Sequence, residues 1–146
     1  MTTRRTAKSK GNQFEYSVRD SLLQKYKDVR LCKEEGYTYQ YDIIVPSEKI
    51  FIECKRHFSF NWNELEKYFL KLEKRIKANK DDNGIYIPYL IFQGNHQPPL
   101  VMHFQDKFGL PLSLCVKTFG DLFEIPFIRH KGKIQRDKAI IYKVDS

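Results

Sequence analysis

The sequence predicts a single α/β domain built on a mixed β-sheet flanked by helices. Three observations carry that reading. The chain is 146 residues long, enough for one core and short for two. Its apolar residues recur in some stretches with a period near 3.6 and in others as short β-branched and aromatic runs. The two kinds of stretch alternate in the order α-β-β-β-α-β-(α)-β, which describes layered helices and strands rather than a bundle or a sandwich.

Each element follows from its residues. Gly11 and Asn12 precede Phe14, Val18, Leu22 and Tyr26 at helical spacing, so a first helix is expected over 12–26. Val29 to Cys32 has short strand character. Gly36 breaks it, and YTYQYDIIV (37–45) reads as a second strand. Pro46 and Ser47 turn the chain, and residues 49–56 return as a third strand, antiparallel to the second because the link is so short. NWNELEKYFLKLEKRIKANK (61–80) is the clearest helix, with Trp62, Leu65, Phe69, Leu72 and Ile76 on one side and charge on the other. GIYIPYLIFQG (84–94) is expected as a fourth strand, its Pro88 suggesting an edge or a bulge. LVMHFQDKF (100–108) reads as a short helix and LPLSLCVKTF (110–119) as a fifth strand.

The formal charge is +8, which favours polyanionic partners. Residues 1–10 hold Arg4, Arg5, Lys8 and Lys10 with no acid, and a second basic set runs from Arg129 to Lys138. The expected organisation is therefore a basic flexible arm over 1–10, a folded domain over 11–128 and a basic tail over 129–146. Cys32, Cys54 and Cys115 show no CxxC spacing and read as free thiols in a reducing compartment. No apolar stretch approaches the length of a membrane span, and no apolar segment follows the basic N-terminus, so an intracellular, cytoplasmic protein is expected.

The strand IFIECKR (50–56) raises the question of chemistry. Alternation places Phe51, Glu53 and Lys55 on one face and Ile50, Ile52 and Cys54 on the other. Asp42 lies eleven residues before Glu53, and in an antiparallel hairpin it comes to Glu53 on a shared face. Two converging carboxylates repel unless a cation sits between them. A hard divalent ion with oxygen ligands, Mg²⁺ above all, suits such a pair, and it generates a nucleophile from bound water. Lys55 could orient or deprotonate that water, or neutralise charge growing on a phosphate. Glu53-Cys54-Lys55 is the one acid-x-Lys triplet in the sequence. The plain alternative is an exposed ion pair on an amphipathic hairpin. Glu15, beside Phe14 at the margin of the first helix's apolar face, is either a boundary charge or a third acid.

Lys10-Gly11, Phe14-Glu15, Asp42 and Glu53-Cys54-Lys55 together resemble the PD-(D/E)xK nuclease superfamily, and within it most the archaeal type of Holliday-junction resolvase. The resemblance covers residues 8–80 in motif order and the rest in element order. It implies a restriction-endonuclease-like fold, a homodimer, and Mg²⁺-dependent cutting of DNA phosphodiesters at four-way junctions, with Mn²⁺ able to substitute. It implies that Glu15, Asp42, Glu53 and Lys55 are catalytic. Asp42, Glu53 and the Cys54 backbone carbonyl would bind the metal, with Glu15 reaching it through water. The resemblance places Lys10 near the DNA; from their charge and position alone, Arg4, Arg5, Lys8, Arg56 and His57 are expected to meet DNA as well. Tyr41 stands where the superfamily name has proline, Tyr16 where arginine commonly follows the glutamate, and no serine-glycine loop precedes Asp42. A restriction-type or flap nuclease, and a nucleic-acid-binding module without catalysis, are the alternatives.

Two aromatic questions stay open at this level. Phe58 and Phe60 could cap the core or form a dimer contact, whereas Trp62 is expected in the core. The lysines of the long helix are expected on a solvated face.

Overall fold

The computed structural model describes residues 7–32, 42–78, 86–105 and 113–129. Six strands form one sheet whose spatial order is the chain order. These are β1 (Arg30–Leu31), β2 (Ile43–Val45), β3 (Ile50–Arg56), β4 (Ile87–Gln93), β5 (Leu100–Phe104) and β6 (Leu114–Thr118). Among the described residues three α-helices accompany them: α1 (Ala7–Leu22), α2 (Trp62–Ala78) and α3 (Phe119–Phe123). Every neighbouring pair of strands is antiparallel except β3 and β4, which run parallel. A parallel pair needs a crossover, and α2 supplies it. The mixed sheet with flanking helices is the expected fold class.

Strand alternation divides the core between the two faces. Ile43, Val45, Ile50, Ile52, Ile91 and Val101 pack with Phe14, Val18 and Leu22 of α1 and with Phe119 and Phe123 of α3. On the opposite face, Leu72 and Ile76 of α2 meet Ile44 and Phe51, while Leu65 and Phe69 meet Leu90, Phe92 and Met102. Each such fully buried side chain contributes roughly 1.5–3 kcal/mol through removal from water. Asn61 starts α2 by accepting the Glu64 N–H at 2.8 Å, satisfying one of the donors a helix leaves open. Helix α1 is tied to the C-terminal segment through Ser21, whose Oγ accepts the Ile128 N–H at 2.8 Å.

Several expectations change. Helix α1 occupies 7–22 rather than 12–26; Tyr26 falls in the turn that follows it. Residues 37–41 of the expected second strand lie outside the described residues. The expected helix at 100–108 is instead strand β5, paired to β4 and β6. Val101, Met102 and His103 are all buried there. A strand covered on both faces loses its polar alternation, and the remaining apolar run has no period to identify it. Helix α3 was not anticipated; Thr118 starts it, its hydroxyl accepting the Asp121 N–H at 3.0 Å. Pro88 lies in an interior strand, not an edge. The neighbouring Ile87 N–H points to β3, bonding Lys49 O at 2.7 Å, so the donor Pro88 lacks would point toward β5. Pairing with β5 begins only at Leu90, and no ladder bond is lost there.

Candidate active site at the exit of strand β3

The register of the β2–β3 hairpin decides where the acids fall. Ile43 opposes Ile52, so Asp42, one residue earlier, opposes Glu53. The main chain holds this alignment at Asp42 itself, whose N–H donates to Ile52 O at 3.0 Å and whose carbonyl accepts from Cys32 N at 3.0 Å. The Asp42 side chain is fixed too: Oδ2 accepts the Cys54 N–H at 2.7 Å. A carboxylate aimed by a backbone donor is an oriented ligand rather than a wandering surface charge.

Glu53 and Lys55 emerge on the α2 face, as alternation requires. Lys55 Nζ stands 3.5 Å from Glu53 Oε2, and Arg75 Nη1 of α2 stands 3.6 Å from Oε1. The Glu53 side chain is only 12% exposed, and its buried Oε1 has no hydrogen-bond partner. Burial, reinforced by the neighbouring Asp42 charge, pushes the Glu53 carboxyl up to about 7 despite Lys55 and Arg75. An exposed salt bridge on a wet hairpin would behave otherwise. Its acid would be solvated and its partner mobile. Here the acid is desolvated, crowded by a second acid, and incompletely bonded. Lys55 is itself positioned, its Nζ lying 4.7 Å from the centre of the Tyr68 ring.

Cys54 turns to the other face, among the residues packed under α1. Burial and then the charges of Asp42, Glu15 and Glu53 raise its thiol well above the ordinary range, so it is a neutral packing group. The same influence places Glu15 within electrostatic reach of the site, approaching from α1. Thus Asp42, Glu53 and Lys55 come together at one strand end, while Glu15 acts on Cys54 from the α1 side of the sheet. Arg56 is held by its own neighbours, Nη1 donating to His57 O at 2.7 Å and to Gln93 O at 3.4 Å, with Arg129 nearby. His57 stacks on Phe60 at 4.7 Å and meets the edge of Tyr68 at 6.0 Å, which makes it a wall of the site. Arg4 and Arg5 lie outside the described residues, as do the side chains of Lys8 and Lys10. Lys67, Lys71, Lys74 and Lys77 are exposed, the last paired with Glu73 at 3.5 Å.

A family model described as "Phage putative PDDEXK endonuclease" matches residues 6–125. The chain belongs to that family. No curated protein and no solved structure matches it. The PDDEXK name spells an acid followed by acid-x-lysine, and within the matched range the sequence has Asp42 ahead of Glu53-Cys54-Lys55, which agrees with that spelling. Among the described residues no three His, Cys, Asp or Glu side chains gather as a metal cluster. An ion here would therefore rest on two carboxylates, the Cys54 carbonyl and water. That donor set is all hard oxygen, it leaves several waters in place, and it fits Mg²⁺ better than zinc or copper. The unbonded Glu53 Oε1 is the oxygen such an ion would satisfy.

Two residues that matter to this geometry were not anticipated, Arg75 and Tyr68. Both belong to α2 and sit at the margin of its buried stripe, next to Ile76 and Phe69 respectively. That marginal position was the available signal. What a strand across the domain would bring to them was not.

Proposed function

We propose that the protein is a metal-dependent DNA endonuclease that hydrolyses backbone phosphodiesters at branched DNA, four-way junctions first among them. The observation that carries this reading is Glu53. It is a buried acid held against a second acid, its carboxyl raised to about 7, with a lysine 3.5 Å away and one oxygen unbonded. Such an arrangement is costly in the absence of a cation and favourable in its presence.

When bound, a divalent ion lowers the pKa of a coordinated water and offsets charge on the phosphate. Asp42 and Glu53 would hold it, and Asp42 is already oriented by the Cys54 N–H. Lys55, 3.5 Å from Glu53 Oε2, would orient the attacking water and stabilise the negative charge that grows on the phosphoryl oxygens. Tyr68 fixes the lysine from behind. Arg75, 3.6 Å from Glu53 Oε1, offsets part of that oxygen's charge without hydrogen-bonding it. Glu15 serves as a further acid from the α1 side. Arg56 and the basic ends of the chain contact the phosphates, so affinity falls as salt rises. Nothing in the sequence resembles a base-reading helix, which suits recognition of shape. A two-fold dimer would deliver two cuts to a symmetric junction.

The test compares labelled four-way junction, flap and linear duplex in Mg²⁺, Mn²⁺ and chelator, beside Glu53→Ala. Paired metal-dependent nicks on the junction, absent in the variant, are expected. Equal cutting of all three substrates removes the junction preference and leaves a general nuclease. Tight binding with no cleavage under either metal leaves a nucleic-acid-binding module.

A further inference from the structure

The loop that leaves β3 displays aromatic surface beside the site. Phe58 is 78% exposed and Trp62 is 48% exposed, so neither is core, and the expectation that Trp62 is buried is wrong. Of the three aromatics in this stretch, Phe60 alone turns inward, against Phe92 with ring centres 5.2 Å apart. A freely moving loop could hide Phe58 against the domain. This loop is held open by its neighbours. His57 N–H donates to Gln93 O at 3.3 Å, and Asn95 N–H donates to Phe58 O at 2.9 Å. The His57–Phe60 stack fills the space beneath, and Asn61 anchors the far end as the cap of α2. The facing loop is close-packed: a Cβ at Gly94 would stand 3.4 Å from Phe58 O and 2.9 Å from Gln97 Oε1.

We infer that Phe58 and Trp62 form a stacking platform for an unpaired nucleobase of the DNA strand that enters the site. The occupant follows from the surroundings. Phe58 is three residues beyond Lys55, at most roughly 10 Å of extended backbone, or one to two nucleotides of strand. Basic groups stand on either side of the two aromatics along the chain: Lys55 and Arg56 precede Phe58, and Lys67 follows Trp62 on α2, in a cleft of about 330 Å³ that also includes Asn63, Glu64 and Tyr68. That cleft joins the start of α2 to the ring on which Lys55 rests. A second copy of the chain is the poorer fit. Two aromatic side chains offer roughly 150–250 Å² each, well short of the roughly 800 Å² per partner of a stable interface. Aromatic faces among cations match single-stranded nucleic acid, whose bases stack and whose phosphates pair with the cations. A base within a duplex is already stacked, so the platform selects DNA with a base unstacked at a branch or in a single-stranded arm. The orientation of that strand toward Lys55 rests on the nuclease reading; the platform itself does not.

Trp62 is the one tryptophan of the chain, which makes its fluorescence a direct reporter. The full chain, in EDTA, is titrated with a twelve-residue oligothymidine and with a blunt duplex of equal length. Oligothymidine should quench Trp62 and the duplex should leave it unchanged. Phe58→Ala should weaken oligothymidine binding roughly 5- to 150-fold, the range for loss of one stacked base, and leave duplex binding within about twofold. Phe58→Tyr should restore it. Equal binding by Phe58→Ala and the parent overturns the inference, as does an equal loss for both DNAs. So does an emission that changes with protein concentration alone, alongside a size increase abolished by Phe58→Ala, because a second copy then covers the platform. Quenching without cleavage of any DNA refutes the nuclease reading only. Cleavage without quenching refutes the platform only.

Discussion

Glu53→Gln should make the metal-free protein more stable than its parent at alkaline pH and progressively less so as the pH falls. In the unfolded chain the Glu53 carboxyl titrates near 4.5, and in the folded protein near 7. Between those values the folded state keeps a proton that the unfolded state has released. Stability therefore declines as pH rises through this window and levels off above about 7. At about 1.4 kcal/mol per pH unit, the span from 4.5 to about 7 amounts to about 3 kcal/mol, a large fraction of the margin of a small domain. Glutamine resembles the protonated acid and carries no such penalty. The assay is urea unfolding of both proteins in EDTA from pH 4.5 to 8.5. The stability difference between them should change by about 3 kcal/mol across that range, in favour of the variant at the upper end. Constant costs of the substitution cancel in this comparison. Mg²⁺ should narrow the difference at pH 8, because the ion compensates the parent's acids and has fewer ligands in the variant. A difference that is flat with pH, or one that grows toward acid, would refute the claim that Glu53 is held in a desolvated site against a like charge.

Three further outcomes follow from the geometry. Lys55→Met should lower the rate of DNA cleavage by roughly 10²- to 10⁴-fold while changing junction affinity by only a few-fold, measured by single-turnover nicking and by gel shift. Arg75→Met should move the pH window just described upward, since Arg75 is one of the two cations that hold the Glu53 carboxyl down; the same unfolding series reads it. Phe69→Ala, at a fully buried ring packed edge-on to Phe104 at 5.0 Å, should cost about 3–5 kcal/mol in urea unfolding, and a loss under about 1 kcal/mol would mean that α2 does not dock as described.

The parts legible in the sequence are those governed by a local period. Helix α2 declares itself because Leu65, Phe69, Leu72 and Ile76 repeat at helical spacing on an otherwise charged segment. The convergence of Asp42 and Glu53 follows from period-two alternation and a short turn, with no tertiary knowledge needed. Strand β5 was misread because burial on both faces removes the very alternation that marks a strand. Helix α3 was missed because five residues are too few to show a period, although Thr118 and Asp121 carry its capping pattern. Arg75 and Tyr68 illustrate a different limit. Their residue types are ordinary for a helix margin, and their significance comes from a crossover that sets α2 over the end of β3. Phe58 and Trp62 show the converse: apolar residues whose exposure is decided by how tightly two loops hold each other.

The groups that gather at the end of β3 come from a short continuous stretch of chain. Asp42, Glu53, Lys55, Phe58, Trp62, Tyr68 and Arg75 all lie between residues 42 and 75, on one hairpin and the helix that follows it. Strands β4 to β6 and helices α1 and α3 support this stretch chiefly through apolar contact. Apolar contact tolerates replacement by other residues of similar volume. Apart from Glu15 of α1 and the basic ends, the chemistry can therefore travel as a cassette, while the apolar positions of the surrounding scaffold are free to change. Relatives of this chain should keep their resemblance in that stretch of the sequence long after the apolar remainder has drifted, and transplanting it into a related scaffold that keeps an acid at the Glu15 position should carry the chemistry with it.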